Sequence, residues 1–373
     1  MRLLSSKYYY IWGTGFGAEQ INKYYSEQLK RIKLLGYIDN DSSKWNSIFH
    51  GKKVFSPEVL NENRESYILI ANTYTNDIMR QIIECYPWYK DRIVKEEYFF
   101  ERLQIMTRYE NCEESEIQDV ISYLNNHPLR IFNAPFVEKY DNKDYNIEYD
   151  EEKGLYYILY YNKKMYFSRS FQSVEKVKDY YKSICIEQDE SSPHRYLTNT
   201  FDVPDHAVVV DAGVAEGNFA LSIVERIEKI YLFEPDNEWV EALRYTFEPY
   251  KEKVVIVNKC LSNYISDYTT TIDEILNKTK VDFIKMDVEG EEYYVIQGAE
   301  KSIKTSENIR CVVCTYHQEL AHSAIKTLLE SLGFKTETSN GYMWGHPDNY
   351  NLMRLPVLRR GLIRARKVES NEE

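Results

Sequence analysis

Acidic residues, glycines, a tyrosine and a histidine follow the ends of the predicted strands in the second half of the chain. In an open parallel sheet, the ligand binds outside the carboxyl ends of the strands, near the point where the strand order reverses. We therefore expect these residues to gather along one edge of a sheet. They are Asp211, Gly213, Gly217, Glu234, Asp287, Glu289, Tyr316 and His317.

The stretch "VVVDAGVAEGNFAL", Val208 to Leu221, is typical of a buried strand, a glycine loop and a helix. Gly213 and Gly217 allow the backbone to approach a ligand closely. Glu234 lies 23 positions beyond Asp211, near the spacing at which an acid binds a ribose diol. The loop lacks the third glycine of a dinucleotide motif and opens with an acid, which favours a cationic ligand over a pyrophosphate. These features favour S-adenosylmethionine over NAD.

Four segments in this order resemble the FkbM family of S-adenosylmethionine-dependent methyltransferases: "VVVDAGVAEGNF", "IYLFEPD", "TTIDEIL" and "VDFIKMDVEGEEYYVIQGA". The resemblance covers roughly residues 207–334, and "IKMDVEGEE" is its most specific element. It implies a class I methyltransferase fold and transfer of a methyl group to a hydroxyl oxygen. It also implies that Asp211, Gly213 and Gly217 flank the methionine part of the cofactor and that Glu234 holds the ribose.

The glycine loop departs from the family pattern D-x-G-A-N-x-G. Ala215 stands at the asparagine position and Glu216 follows it. Either a side-chain contact to the cofactor is lost, or Glu216 supplies another. Ser262 and Asn263 stand where an acid commonly contacts the adenine, and Ser262 is the predicted contact here.

Methyl transfer to an alcohol needs alignment of the reactants and a general base, because an alcohol ionises poorly near neutral pH. His317 is the predicted base, since imidazole titrates near neutrality. Asp287 and Glu289 could orient it, act as the base, or hold a divalent cation that acidifies the hydroxyl. Each residue also has a purely structural alternative. His317 could simply bind a loop carbonyl, and Glu289 could be an acid favoured at a helix N-terminus.

The segment "EQDESSPHRY", Glu187 to Tyr196, has two interpretations. Ser192 could cap a helix that begins at Pro193. Alternatively, His194 or Arg195 contacts the cofactor or the acceptor. Tyr316 is the third residue predicted to bind the substrate.

A second glycine loop, "IWGTGFGAEQI", lies near the start of the chain, and Asp39 ends the next predicted strand. This region resembles the small nucleotide-binding domains attached to bacterial sugar-modifying enzymes. The resemblance implies that the domain presents a nucleotide-linked sugar or docks the enzyme to glycan machinery, and an empty Rossmann-like scaffold is the alternative. Two other functions stay open: an NAD-dependent sugar oxidoreductase that uses Gly13 to Gly17, and a non-catalytic nucleotide-binding module.

Strands alternating with helices predict an α/β protein with two Rossmann-like parts. The predicted organisation is an N-terminal domain at 1–104, a mixed α+β bridge at 105–199, a methyltransferase domain at 200–357 and a charged tail at 358–373. The seven strands predicted for the methyltransferase sheet are 207–211, 229–234, 254–258, 281–287, 309–317, 335–339 and 351–356.

Composition limits the classes of partner. The net charge of −12 argues against a nucleic-acid binder, and no apolar run is long enough to span a membrane. We therefore expect a cytoplasmic enzyme. The 34 tyrosines include rings that can stack on sugars, so the predicted acceptor is a small molecule or glycan with a free hydroxyl, in surface polysaccharide biosynthesis. Cys311 and Cys314 lie in an apolar run and are expected to be structural.

Overall fold

The computed structural model describes residues 7–71, 74–345 and 357–367. The chain divides into two compact units. The first unit comprises residues 1–134 and 346–358, and the second comprises residues 135–345 and 359–373. The predicted bridge is therefore shared between the units, because residues 105–134 group with the first and residues 135–199 with the second.

The first unit contains a five-stranded sheet in the order β3-β4-β2-β1-β5. β1 pairs in parallel with β2 and β5, whereas β3 and β4 form an antiparallel hairpin that the sequence did not predict. The helical segment over 16–29 is interrupted at Tyr25. The strands are β1 (Tyr8–Trp12), β2 (Lys33–Ile38), β3 (Ile48–Phe49), β4 (Lys52–Phe55) and β5 (Tyr67–Ile70); the helices are α1 (Phe16–Tyr24), α2 (Ser26–Leu29), α3 (Val59–Glu62), α4 (Thr75–Cys85), α5 (Phe99–Arg108) and α6 (Ser115–Leu124).

The second unit begins with a three-stranded antiparallel sheet of β6 (Glu148–Asp150), β7 (Leu155–Tyr160) and β8 (Lys163–Tyr166). β7 and β8 form an antiparallel hairpin. Its two turn residues, Tyr161 and Asn162, both have positive φ, which is the backbone that a two-residue hairpin loop requires. Helix α7 (Val174–Glu187) follows, and the Ser173 side chain caps it by accepting from the Lys176 amide.

A seven-stranded sheet forms the centre of the second unit, in the order β11-β10-β9-β14-β15-β19-β16. Its neighbours pair in parallel except β19, which is antiparallel to β15 and β16. The predicted class I methyltransferase fold is confirmed. The remaining strands are β9 (Val208–Ala212), β10 (Lys229–Phe233), β11 (Val254–Val257), β12 (Cys260–Leu261), β13 (Thr269–Thr270), β14 (Phe283–Met286), β15 (Arg310–Cys314), β16 (Phe334–Thr338), β17 (Met343–Gly345), β18 (Val357–Arg359) and β19 (Leu362–Lys367); the helices are α8 (Asn218–Ile223), α9 (Asn237–Thr246), α10 (Ile272–Leu276), α11 (Glu292–Gln297), α12 (Glu300–Thr305) and α13 (Ala321–Ser331).

Both faces of this sheet are covered, because successive side chains of a strand point to opposite faces. In β9, Val209 packs in the core that contains α7 and α8, while Val210 packs in the core that contains α10 to α13. Both valines are fully buried. A strand buried on both faces has an almost continuous apolar sequence, which explains the run "AVVV" ahead of Asp211.

The predicted charged tail at 358–373 is wrong for Leu362–Lys367, which forms strand β19 in the central sheet. Leu362, Ile363 and Ala365 are fully buried. Arg364 is also buried, and its guanidinium donates to the carbonyls of Arg195 and Tyr196. The arginines made the segment look solvated, although they alternate with the residues that fill the core. The predicted seventh strand at 351–356 lies outside the described residues.

Gly213 occupies a position at which a side chain cannot be accommodated. Its φ is +75°, and a Cβ would lie 1.8 Å from the Asp287 carbonyl oxygen. We expect Gly213→Ala to lower the free energy of unfolding by at least about 3 kcal/mol, from left-handed strain plus overpacking. Gly333→Ala is the matched control, because Gly333 has a φ of +85° with no atom within 4 Å, and it should cost about 1 kcal/mol. Urea unfolding that shows equal losses for both variants would contradict the close approach of the two loops.

Candidate functional site

A cavity of about 570 Å³ lies at the carboxyl ends of the central strands of the second unit. Seven carboxyl groups and two lysines line it. A cavity with this excess of acids favours a cationic ligand and disfavours an anionic one. These residues are Glu187, Glu216, Glu234, Asp236, Asp287, Glu289, Glu291, Lys259 and Lys285.

The glycine loop between β9 and α8 lines one side of this cavity through Gly213, Val214, Ala215 and Glu216. Ala215 has a φ of +47°, a conformation that asparagine adopts more readily than alanine. The family's asparagine would therefore fit this backbone with less strain. The turn is held by the Gly217 amide, which donates to the Val214 carbonyl at 3.0 Å.

Glu234 follows β10 and projects into the cavity. One carboxylate oxygen accepts the Ala215 amide at 2.9 Å, and the other accepts the Asp236 amide at 3.0 Å. These two bonds fix the carboxylate while each oxygen retains a free lone pair. The predicted diol-binding acid is therefore held rigidly at the end of its strand.

Asp211 and Lys285 form a buried ion pair beneath the glycine loop. The Lys285 Nζ lies 3.1 Å from Asp211 Oδ1 and also donates to the Gly213 carbonyl oxygen. Burial raises the pKa of Asp211 to about 6, against the attraction of Lys285. Burial disfavours the Lys285 ammonium, but Asp211 and Asp287 outweigh it and raise the Lys285 pKa. Asp211, a predicted site residue, therefore lies at the base of the site as one member of this ion pair.

Four polar groups surround the Asp287 carboxylate. The Tyr196 and Tyr316 hydroxyls donate to it at 2.7 and 3.2 Å, and the Nε2 atoms of His194 and His317 each lie 3.4 Å from one of its oxygens. Burial would raise the Asp287 pKa, but His194, Lys285 and His317 hold it well below its usual range. Asp287 is therefore a fixed anion that accepts hydrogen bonds, and it is a weak base.

His317 is buried beside the cavity and is absent from its lining. Its Nδ1 lies 2.9 Å from the buried Glu292 carboxylate, and its Nε2 lies 3.6 Å from Glu289. Burial disfavours the imidazolium, but Glu292, Asp287 and Glu289 together raise the His317 pKa. A protonated imidazole cannot accept a proton. This geometry favours a role for His317 in positioning Asp287 rather than in accepting a proton.

The structure brings most of the predicted residues together at the cavity. Five of them line it: Gly213, Glu234, Asp287, Glu289 and Tyr316. Asp211 lies beneath the glycine loop, and Gly217 lies at the start of α8. Ser262 does not line it; Lys259, Cys260 and Leu261 of the same segment do.

The segment at 192–195 is a turn, so the predicted helix with Ser192 as cap is wrong. His194 is buried behind Asp287, with Cys314 Sγ 3.5 Å from its Nε2. Arg195 lines a smaller neighbouring cavity with Tyr160 and Tyr161. Neither side chain lines the main cavity. Cys311 and Cys314 are buried free thiols in β15, as expected of structural cysteines.

Sequence reasoning missed Lys285, Tyr196, Tyr180 and Glu187. Lys285 could have been recognised from the sequence, because a lysine inside the apolar strand "FIKM" needs a buried anion as its partner. Tyr180 and Glu187 lie on α7, outside the segments that resemble the FkbM family, and nothing in their spacing distinguishes them from ordinary helix residues.

Two sets of side chains have their polar atoms within 4.8 Å of one another, as metal ligands would. One is His194, Asp287 and Cys314, and the other is Asp287, Glu292 and His317. In the second set, the His317 ring lies 2.9 Å from Glu292 and 3.4 Å from Asp287. Each of these carboxylates therefore already has a polar side-chain partner.

In the first unit, Asp39 is engaged by its own surroundings. Its carboxylate accepts the Thr14 and Asp41 amides at 3.1 and 2.9 Å and pairs with Lys44 at 3.1 Å. A ribose diol would have to compete with these groups. The contacts fit a loop stabilised for packing better than one that binds a dinucleotide.

Residues 260–336 match the family model of the methyltransferase FkbM domain. The predicted resemblance to FkbM methyltransferases is confirmed. This part of the second unit is therefore similar to the methyltransferase FkbM domain. Residues 6–94, in the first unit, match the model described as C2185-like, N-terminal. No curated protein matches the chain.

Solved structures similar to the chain include the methyltransferase FkbM from Methylobacillus flagellatus KT, with 14% identity, 98% coverage of this chain, 91% coverage of that one and a TM-score of 0.41. An rRNA methylase from Streptococcus thermophilus has 15% identity, with 45% and 90% coverage and a TM-score of 0.31. A precorrin-6y C5,15-methyltransferase from Geobacter metallireducens GS-15 has 13% identity, with 44% and 83% coverage and a TM-score of 0.32. Similarity this low says nothing about the acceptor.

Over the part of the chain that the structure describes, no helix is both long and apolar enough to cross a membrane.

The His317 contacts predict a pH-dependent contribution to stability. Its pKa is raised in the folded second unit, so its stabilising charge is fully present below the unfolded pKa of about 6.5 and is lost as the pH rises through the folded pKa. We expect His317→Gln to lower the free energy of unfolding by about 1–3 kcal/mol at pH 6 and by less at pH 9. Urea unfolding at both pH values measures this, with the exposed His206→Gln as control. A loss of the same size at both pH values would contradict the ion pairs.

Proposed function

We propose that the protein is an S-adenosylmethionine-dependent O-methyltransferase that transfers a methyl group to the hydroxyl of a sugar. The observation that carries the proposal is the placement of Glu234 in an acid-rich cavity, at the end of β10, facing the glycine loop. A carboxylate there suits a ribose diol, and the surrounding acids suit a sulfonium. When bound, the cofactor supplies an electrophilic methyl group with its own leaving group.

The cavity fits this cofactor in several respects. Its volume of about 570 Å³ lies within the range typical of small-molecule sites. Glu234 would accept the ribose hydroxyls, and Pro235, Trp239 and Leu261 offer apolar surface for the adenine. The glycine loop would lie beside the methionine part.

Glu187 fits the role of general base better than the predicted His317. It lines the cavity, and burial raises its pKa, which makes a carboxylate a stronger proton acceptor near neutral pH. Asp287 would orient the acceptor region through the Tyr316 hydroxyl, which also lines the cavity. In this proposal His317 keeps Asp287 in place.

The sugar acceptor is supported by aromatic surface in the second unit. Tyr149 is half exposed and packs on Tyr156, with ring centroids 4.9 Å apart. Both border a second cavity of about 330 Å³, which Arg169 also lines. Aromatic rings beside polar groups suit the apolar faces and hydroxyls of a glycan. The first unit would present a nucleotide-linked sugar or serve as a scaffold.

The alternative of an NAD-dependent oxidoreductase would require Asp39 to bind a ribose. The Thr14, Asp41 and Lys44 contacts to its carboxylate weigh against this.

Titration calorimetry with S-adenosylhomocysteine tests the proposed cofactor site. We expect one saturable site, and about a 5- to 150-fold weaker affinity in Glu234→Ala, which corresponds to loss of a charged hydrogen-bond acceptor worth about 1–3 kcal/mol. Glu252→Ala removes an exposed carboxylate of the same unit and should leave the affinity unchanged. NADH and a panel of nucleotide sugars serve as competitors. Binding of NADH without binding of the adenosyl ligand would contradict the proposal.

Chelation tests the divalent cation. We expect EDTA to leave S-adenosylhomocysteine affinity and methyl transfer unchanged, because the His317 ring already contacts the carboxylates that a metal would bind. Methyl transfer is followed with labelled S-adenosylmethionine and sugars that differ in one free hydroxyl. If methyl transfer is lost on chelation and restored by Mg²⁺ or Mn²⁺, the expectation of a metal-independent site is contradicted.

A further inference from the structure

Glu216 is a buried carboxyl group that lines the cavity without a cationic partner. It is 5% exposed and lies in the glycine loop, at the position that follows the family's asparagine. Its Oε2 accepts the Tyr180 hydroxyl at 2.7 Å. Among the residues that the structure describes, no lysine, arginine or histidine lies within ion-pair distance of it. Burial of a charged carboxylate is energetically unfavourable unless the charge is paired. A positively charged group of a ligand could supply the missing partner of Glu216.

The surroundings of Glu216 reinforce this requirement. Glu187, on the same helix as Tyr180, also lines the cavity, and its charge acts on Glu216 in the direction that favours protonation. Lys285 lines the cavity too, but its ammonium is held by Asp211 and the Gly213 carbonyl. Burial raises the pKa of Glu216 to about 7 and outweighs the Tyr180 hydrogen bond. A cation placed in this part of the cavity would therefore be bound by a carboxylate that has no competing partner.

We infer that Glu216 binds the α-ammonium group of the methionine part of the cofactor, and that Tyr180 positions its carboxylate for that contact. The inference rests on the proposed function, because it assumes an adenosyl cofactor in this cavity. Glu234, which accepts the Ala215 amide, would hold the ribose, and Glu216, the next residue of the loop, lines the same cavity within reach of the methionine part. The ammonium would donate to the Glu216 oxygen that Tyr180 does not occupy.

The Tyr180 hydroxyl limits what Glu216 can do. The Tyr180 hydroxyl donates to Oε2, and because each carboxylate oxygen has two lone pairs, the group can accept a further donor from the ligand. Tyr180 is itself packed against Trp239, with ring centroids 5.7 Å apart, and Trp239 also lines the cavity. The carboxylate is thus held by a side chain that is fixed by aromatic packing.

A thermodynamic cycle tests this contact without knowledge of the acceptor. The two ligands are S-adenosylhomocysteine and 5′-deoxy-5′-(3-carboxypropylthio)adenosine, which lacks only the amino group. The two proteins are the wild type and Glu216→Gln. We expect the wild type to bind the deaminated ligand about 10- to 100-fold more weakly than S-adenosylhomocysteine, whereas in Glu216→Gln the difference shrinks to about 3-fold or less.

Two further variants separate a specific contact from a general effect of charge or folding. Asp179→Asn removes an exposed carboxylate adjacent to Tyr180 on α7 and should retain the full discrimination between the ligands. Tyr180→Phe should reduce the discrimination by about 3- to 10-fold, as expected for loss of one hydrogen bond to a charged group. Circular dichroism confirms that each variant is folded, and Tyr180→Phe supplies the test if Glu216→Gln does not fold.

The outcomes distinguish the inference from the proposed function. If the wild type binds both ligands equally well, the inference is overturned while the cofactor site stands. The same conclusion follows if Glu216→Gln binds both ligands more weakly by one factor, because the carboxylate would then act on the cavity as a whole. If the wild type binds neither adenosyl ligand, both the proposed function and the inference fail.

Discussion

The site depends on one buried cation, the ammonium of Lys285. It lies in the middle of the central strand β14, with only 4% of its side chain exposed, and pairs with Asp211 at the end of β9. It also donates to the Gly213 carbonyl, so that a single group connects two neighbouring strands and the glycine loop. Without it, Asp211 would be an uncompensated buried charge, a condition that costs roughly 3–5 kcal/mol. The close packing of Gly213 against the Asp287 carbonyl joins the same two loops through backbone atoms.

The carboxylates around this cation fall into two groups. Asp287 has several partners within the protein, since two tyrosine hydroxyls and two imidazole rings face it. Glu216 accepts the Tyr180 hydroxyl, but no cationic side chain among the described residues forms an ion pair with it or with Glu187, and burial raises the pKa of each. The first group provides rigidity, and the second leaves negative potential for a ligand. This division explains how the site can hold many acids and remain stable while it favours a positively charged cofactor.

Much of the central sheet and of the site could be predicted from the sequence, because strands buried on both faces are continuous apolar runs and their carboxyl ends meet at one edge. Asp211, Glu234 and Asp287 were found in this way. The seventh strand was missed because the arginines of "LIRARK" hid its buried alternate residues. Tyr180 and Glu187 could not be found, since their place at the cavity depends on the packing of α7. Whether His317 could act as the predicted base could not be judged from its position in the sequence. Its pKa is raised by three acids whose approach to the ring depends on the fold.

A crystal structure of the full chain grown with S-adenosylhomocysteine would test the central claim most directly. The account predicts electron density for the adenosyl ligand in the cavity at the ends of β9, β10 and β14, with both ribose hydroxyls within hydrogen-bond distance of Glu234. Density for that ligand at the loop of residues 13–17, or in the central cavity with the ribose turned away from Glu234, would contradict it.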